Sequence, residues 1–544
     1  MRTTKSMQDI KGTRHFVWCV SCLVLSVWGE ALAGSPSAIA PRRLQLPAAP
    51  PGRELANPID LLLQDYYAQH NVRPAQAVDD RTYARRVYQD VIGLPPTPAQ
   101  LTAFAEDKSA DKRAALVDKL LSDRHNYAVH WMTFWNDLLR NDYRGTGYID
   151  GGRQQITGWL YGALADNMPF DRFVGELCDP TPESAGFVKG IVWRGVVNAS
   201  QTPEVQAAQN IAQVFMGINL KCASCHDSFI NQWKLADAYA LAGVFAEKPL
   251  EMHRCDSPIG EFAPLKFLYP ELGKIDAHVP KAERLKALAA IITSPDNGRL
   301  TRTIVNRLWA RFLGRGLIEP VDDMDLPAWT QDVLDYLAAD LSDHGYDLQR
   351  TMRLILTSRT YQLPSVGADE QTDEEFIFRG PVVRRLSAEQ FVDAVAALTG
   401  GWHTAMPKQI DKGLQQQIRS AAGGRTVRAA LVTADPLMVA LGRPNREQVV
   451  TVRPAHATTL AALELTNGQT LAEQLTRGAQ HWLRKSPAST RDLVERLYFQ
   501  ALGRSPTAEE SQVAEVLVGS PATVEGVEDL LWAVVVLPEF QLIE

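Results

Sequence analysis

Apolar residues recur every three or four positions through segment after segment of this chain, and that period commits it to helices packed on helices. The pattern runs through residues 81–92, 98–105, 111–121, 127–140, 169–177, 204–215, 237–245, 282–292, 300–312, 331–341 and 348–356. Strand-like alternation is scarce and short, so the fold class is mainly α. Asn57-Pro58 reads as a helix N-cap followed by proline in the first turn, with Ile59, Leu62, Leu63, Tyr66 and Tyr67 at helical spacing behind it. With 45% hydrophobic and 22% charged residues over 544 positions, the chain can bury large cores, and its length predicts a multi-helical, two-domain protein.

One internal echo stands out. Arg86-x-Tyr88, Gly93 and Pro96-Thr97 return near the other end as Arg496-x-Tyr498, Gly503 and Pro506-Thr507. Glycine stops one helix in a left-handed position and threonine starts the next, which predicts a helical hairpin at each end of the chain. Between them, the turn-rich run Thr293-Ser294-Pro295-Asp296-Asn297-Gly298 is the natural place for a domain boundary, dividing residues 57–293 from residues 299–544.

Chemistry concentrates at Cys222-Ala223-Ser224-Cys225-His226. Cys-x-x-Cys-His is the spacing that attaches one haem c covalently: two thiols reach the two vinyl groups of a porphyrin, and the adjacent histidine supplies a proximal imidazole to iron. A thioredoxin-type dithiol would need a βαβ setting, and a structural zinc site a second pair of ligands at similar spacing; neither is evident. The cofactor expected is therefore a single covalent haem c, held by Cys222, Cys225 and His226.

The start of the chain agrees. Arg2, Lys5, Lys11 and Arg14 precede an apolar run from Phe16 to Trp28, and Ala31-Leu32-Ala33 offers a small-x-small cleavage site. Residues 1–33 read as a signal peptide cut after Ala33, and residues 34–56, rich in Pro and Ala, as a flexible leader. An uncleaved amphipathic anchor is the competing reading. No transmembrane span is expected after cleavage, and the mature protein is placed in the periplasm or outside the cell, where covalent haem attachment takes place in bacteria. The net charge of −7 argues against nucleic acid as a partner and leaves a redox protein as the expected one. Cleavage also leaves Cys178 and Cys255 as a possible disulfide.

The residue opposite His226 across the iron decides between carrying electrons and catalysis. His253 and Met252, just beyond the helix after the motif, are the candidates for it. On the helix at 300–312, Arg299, Arg302 and Asn306 share a stripe suited to the haem propionates, although pairing with Asp322, Asp323 and Asp325 competes with that role. That acidic group could instead hold Ca²⁺. Asp227 reads as a helix N-cap or as a group that orients the motif loop. No phosphate loop, nucleophile elbow, zinc-protease helix or dinucleotide fingerprint is present.

Several further motifs stand in order: Leu94-Pro95-Pro96-Thr97-Pro98, Trp131-x-x-x-Trp135, Met168-Pro169-Phe170-Asp171-Arg172-Phe173, Val305-Asn306-Arg307-Leu308-Trp309, Arg359-Thr360-Tyr361-Gln362-Leu363, Arg385-Leu386-Ser387-Ala388-Glu389, Gly442-Arg443-Pro444 and Leu537-Pro538-Glu539-Phe540. Together with the haem motif they make the chain resemble the planctomycete-type PSCyt and PSD family, paired exported domains of unknown function often found with cytochrome c domains. The resemblance covers nearly the whole mature chain. It departs at Ser228, where many relatives carry His, and at Gln448–Val452, where relatives carry Cys-x-Cys. The expected function is an exported monohaem c-type cytochrome-like protein in electron transfer, extending to an oxidoreductase or a subunit of one. The alternative is an envelope scaffold or binding protein with a structural haem.

Overall fold

The computed structural model describes residues 39–48, 57–143, 154–195, 197–367, 376–423, 426–454, 456–485 and 487–544. The expected signal peptide and much of the leader lie outside the described residues. Helix makes up 54% of the structure and strand 4%, with just two small antiparallel sheets among the described residues. Among the described residues, no helix is long and apolar enough to cross a membrane.

Helix starts follow the local chemistry. Asn57 caps the helix Pro58–Gln69 by accepting the Ile59 N–H, with proline in its first turn. The echoed hairpins form as expected. Asp80–Val91 leads through Gly93 (φ 68°) to Pro98–Glu106, which opens on a Thr97/Gln100 capping box. Thr490–Leu502 leads through Gly503 (φ 73°) to Ala508–Val518, which opens on a Thr507/Glu510 box. The two hairpins also meet. Arg81 Nη1 donates to the Leu502 carbonyl at 2.7 Å and Arg85 Nη1 to that of Ala501 at 3.1 Å, so the first hairpin satisfies the last carbonyls of the helix in the second.

Residues 35–544 form one compact unit, and one hydrophobic core runs from Ile59 to Phe540. The turn at 293–298 lies against that core: Asn297 is buried, caps the next helix through the Arg299 N–H, and donates to the Ile292 carbonyl. Residues 39–48 of the leader are tied down by Arg42 on Asp332 and Asp335 and by Arg43 on Asp343.

Two helices sit almost wholly inside, Pro203–Met216 and Gly298–Leu313. They are in contact, and both carry polar residues into the interior. Arg307 joins them, donating to the Gln213 carbonyl at 2.6 Å and to that of Val214. Gln213 in turn donates to Asp322 at 2.7 Å.

A second buried polar network ties the helix Arg124–Leu138 to Ala388–Thr399. Arg453 bridges Asp137 and Glu389, each at 2.6 Å, and Arg446 adds a 2.8 Å bond to Asp137. Burial alone would raise the Glu389 carboxyl, but Arg453, Arg443 and Arg446 outweigh it and hold the group well below the usual carboxylate range. A depressed folded-state value stabilises the fold above the unfolded value of about 4.3, and that contribution is lost as pH falls below it. Glu389→Gln is expected to cost about 3–5 kcal/mol at neutral pH by stranding buried guanidinium groups. It should also flatten the loss of stability below about pH 4, read from thermal unfolding across a pH series.

Candidate functional site

The Cys-x-x-Cys-His motif hangs from the end of a buried helix. Pro203–Met216 stops at Gly217, whose φ of 60° is left-handed. A Cβ there would lie 2.2 Å from Met324 Cγ, so the position needs glycine for space as well as for conformation. The chain then passes Ile218 and Leu220, both buried, into a single tight turn at Cys222–Ser224. The Cys222 carbonyl accepts the N–H groups of Cys225 at 3.1 Å and His226 at 3.2 Å. Residues three apart in a helical turn share a face, and both thiols are half-buried there. Ala223 and Ser224 between them are buried and fix the turn, Ser224 donating from both N and Oγ to the Leu220 carbonyl at 2.9 Å.

His226 is oriented by its neighbour. Its Nδ1 meets the Asp227 carbonyl at 2.7 Å, so the proton belongs on Nδ1 and the Nε2 lone pair is left to bind a metal. Asp227 orients the motif loop, and the N-cap position of the following helix belongs to Lys234. The Asp227 carbonyl orients the imidazole, while its side chain accepts the Leu235 N–H at 3.0 Å at the start of the helix Leu235–Ala242. The loop between is pinned by Ser228, whose Oγ accepts from Ile230 and Asn231 and whose N–H donates to the Trp233 carbonyl. It presents Phe229 and Ile230 to solvent, 87% and 70% exposed, with the Phe229 ring 4.6 Å from that of His226.

A hairpin, Glu251–Arg254 and Ser257–Phe262, folds onto the motif. Its tip makes direct contact, the Cys255 N–H donating to the Cys225 carbonyl at 2.9 Å. Side chains alternate along a strand, and this separates the two sixth-ligand candidates. Met252 packs with Leu235 and Tyr239 in a small apolar cluster. His253 instead lines a cavity of about 520 Å³, together with Asn198, Thr202, Tyr239, Glu251 and Asp256. Cys222, Cys225 and His226 do not line it, but the Cys225 Sγ lies 3.8 Å from Oδ1 of Asn198, which does. Tyr239 is buried, its hydroxyl faces the His253 backbone without a well-aligned hydrogen bond, and burial raises its pKa.

Other candidates lie elsewhere. Arg302 is buried and bound to Asp335 at 2.8 Å and to the Ile39 carbonyl at 3.0 Å. Asn306 is engaged on both sides by the Ile318 backbone, at 3.0 and 2.9 Å. Arg299 pairs with Asp325, as the competing reading allowed, while Asp322 accepts from Gln213 and Thr451. Among the described residues, no three His, Cys, Asp or Glu side chains converge as a metal-binding group. The Cys178–Cys255 disulfide does not form. Both thiols are free, Cys178 buried at the end of the helix Phe170–Cys178 and Cys255 on an exposed tip, and burial pushes the Cys178 thiol far up.

Two family models match the chain. One, PSCyt2, described as a protein of unknown function (DUF1549), covers residues 58–249, and the other, PSD1, a protein of unknown function (DUF1553), covers residues 284–518. The chain belongs to this paired family. No curated protein and no solved structure matches it. The motif, Asn198 and Tyr239 fall in the PSCyt2 region, while His253 and Cys255 lie just past its end. Arg302, Asn306 and Asp322 fall in the PSD1 region. Burial is the main influence on Lys221, beside the motif, and lowers its pKa, with Asp322 of the PSD1 region opposing that shift and Arg140 adding to it.

Asn198 and Tyr239 had no distinguishing sequence signal, because asparagine before a short turn and tyrosine in a helix are ordinary. Asp227→Ala should leave the His226 Nδ1 bond in place, since that bond is to backbone, but remove the acceptor of the Leu235 N–H. Loss of about 1 kcal/mol of capping is expected to speed hydrogen exchange at the Leu235 amide about fivefold, measured by exchange mass spectrometry.

Proposed function

We propose that this protein is exported, carries one haem c covalently on Cys222, Cys225 and His226, and works in electron transfer. The observation that carries the reading is the orientation of His226. A Cys-x-x-Cys-His segment whose histidine keeps Nδ1 on a backbone carbonyl has its Nε2 electron pair ready for iron, the arrangement that metal-binding histidines generally adopt. The remaining residues fit the group: two thiols on one face of a fixed turn, and a neighbouring cavity of about 520 Å³, within the range of cofactor sites. A haem held there supplies a reversible one-electron iron couple. The charged start, apolar run and Ala31-Leu32-Ala33 site support export to a compartment where such attachment occurs.

Of the two further ligand candidates, His253 is the one that would help to hold the haem, because it lines the cavity while Met252 is spent on apolar packing. Ligation by both histidines would favour an electron carrier. An iron with an open sixth position favours the oxidoreductase extension of the same reading.

The full-length protein, produced in a host with haem c attachment machinery, is expected to show a Soret band that stays with the polypeptide after acid extraction. Cys222→Ser with Cys225→Ser should abolish the retained pigment. His253→Ala should convert a low-spin spectrum to a high-spin one that binds added imidazole. A colourless or fully extractable product from the unaltered chain would overturn the haem assignment. A retained haem with no reversible redox couple would favour the scaffold reading.

A further inference from the structure

We infer that Cys225 and Cys255 form a disulfide in the haem-free protein, so that Cys255 is a third functional thiol of this region. The 2.9 Å bond from the Cys255 N–H to the Cys225 carbonyl, with standard backbone bond lengths, holds the two Cα atoms no more than about 6.8 Å apart, inside the span that disulfides bridge. Both are free thiols in this structure and neither is sealed away: Cys225 is half-buried and Cys255 is exposed. The placement of Cys255 is itself unusual. Arg254 pairs with Ser257 across the hairpin, which leaves Cys255-Asp256 as a two-residue turn, and Cys255 takes a left-handed φ of 55° where asparagine or glycine is the common choice. A cysteine thus occupies the tip of the hairpin that docks on the motif.

The chemistry needs a disulfide donor, such as oxidised glutathione or an exported thiol oxidase. Its S–S bond breaks as the Cys225–Cys255 S–S bond forms; two protons and two electrons leave the protein thiols, and the donor is reduced to two thiols. The bond would tie up one of the two sulfurs that the haem reading requires. Haem attachment at Cys225 then waits on reduction, a consequence that rests on that reading, whereas the disulfide itself does not.

The test uses the colourless full chain, made without haem attachment machinery and carrying Cys19→Ser and Cys22→Ser so that only four thiols remain. After incubation with oxidised glutathione, non-reducing peptide mapping is expected to find most of Cys225 joined to Cys255. The join should persist in Cys222→Ser and vanish in Cys255→Ser. A predominant Cys222–Cys225 link in the oxidised parent, a stable glutathione adduct at either cysteine, or four thiols still open to alkylation would overturn the inference. Because the readout is taken on protein without pigment, it succeeds or fails independently of the haem assignment.

Discussion

Arg307 holds the centre of this protein together. Its guanidinium lies wholly inside and donates to the Gln213 and Val214 carbonyls, groups in the last turn of Pro203–Met216 that have no partner within their own helix. Burial lowers its pKa to about 10, against the pull of Asp322, so it remains charged at neutral pH and complements the negative end of that helix. Gly217 then turns the chain out of the helix, and five residues later the motif begins. The position of the two thiols therefore depends on a contact made by a residue far along the sequence, in the PSD1 region.

That dependence gives a physical reason for the pairing of the two regions. The PSCyt2 region supplies the motif but not the cation that ends its central helix. The PSD1 region also supplies Asp322, which meets Gln213 on that helix and acts on Lys221 beside the motif. The terminal hairpins repeat the theme, with Arg81 and Arg85 satisfying carbonyls of the helix Thr490–Leu502. Buried arginines spent on backbone carbonyls and on Asp137 and Glu389 fix which elements meet, because an unpaired buried charge would cost several kcal/mol.

Much of the architecture was legible because it is local. Asn57, Thr97, Ser387 and Thr507 announce helix starts through side chains that reach their own backbone, and Gly93 and Gly503 announce stops through a dihedral that other residues resist. The candidate site was half legible. Cys222, Cys225 and His226 carry their spacing on the surface of the sequence. Which of Met252 and His253 turns to the cavity was not readable, because one residue of strand register reverses the answer. The stripe of Arg299, Arg302 and Asn306 was visible as a pattern, but its partners Asp325, Asp335 and Ile318 are non-local, and a helical face does not say what it packs against.

The cysteines show the same division. Counting thiols suggested Cys178 with Cys255, yet the fold buries the first and places the second on the Cys225 carbonyl. By itself the sequence determined the helical class, the helix ends and the residue types able to hold a metal, since each is set within a few neighbouring positions. Only the tertiary structure decided that one main core runs from Ile59 to Phe540, that His253 and not Met252 faces the cavity, and that Cys255 adjoins the motif. Those outcomes depend on contacts between residues distant in the chain, and their geometry is fixed only when the buried helices cross.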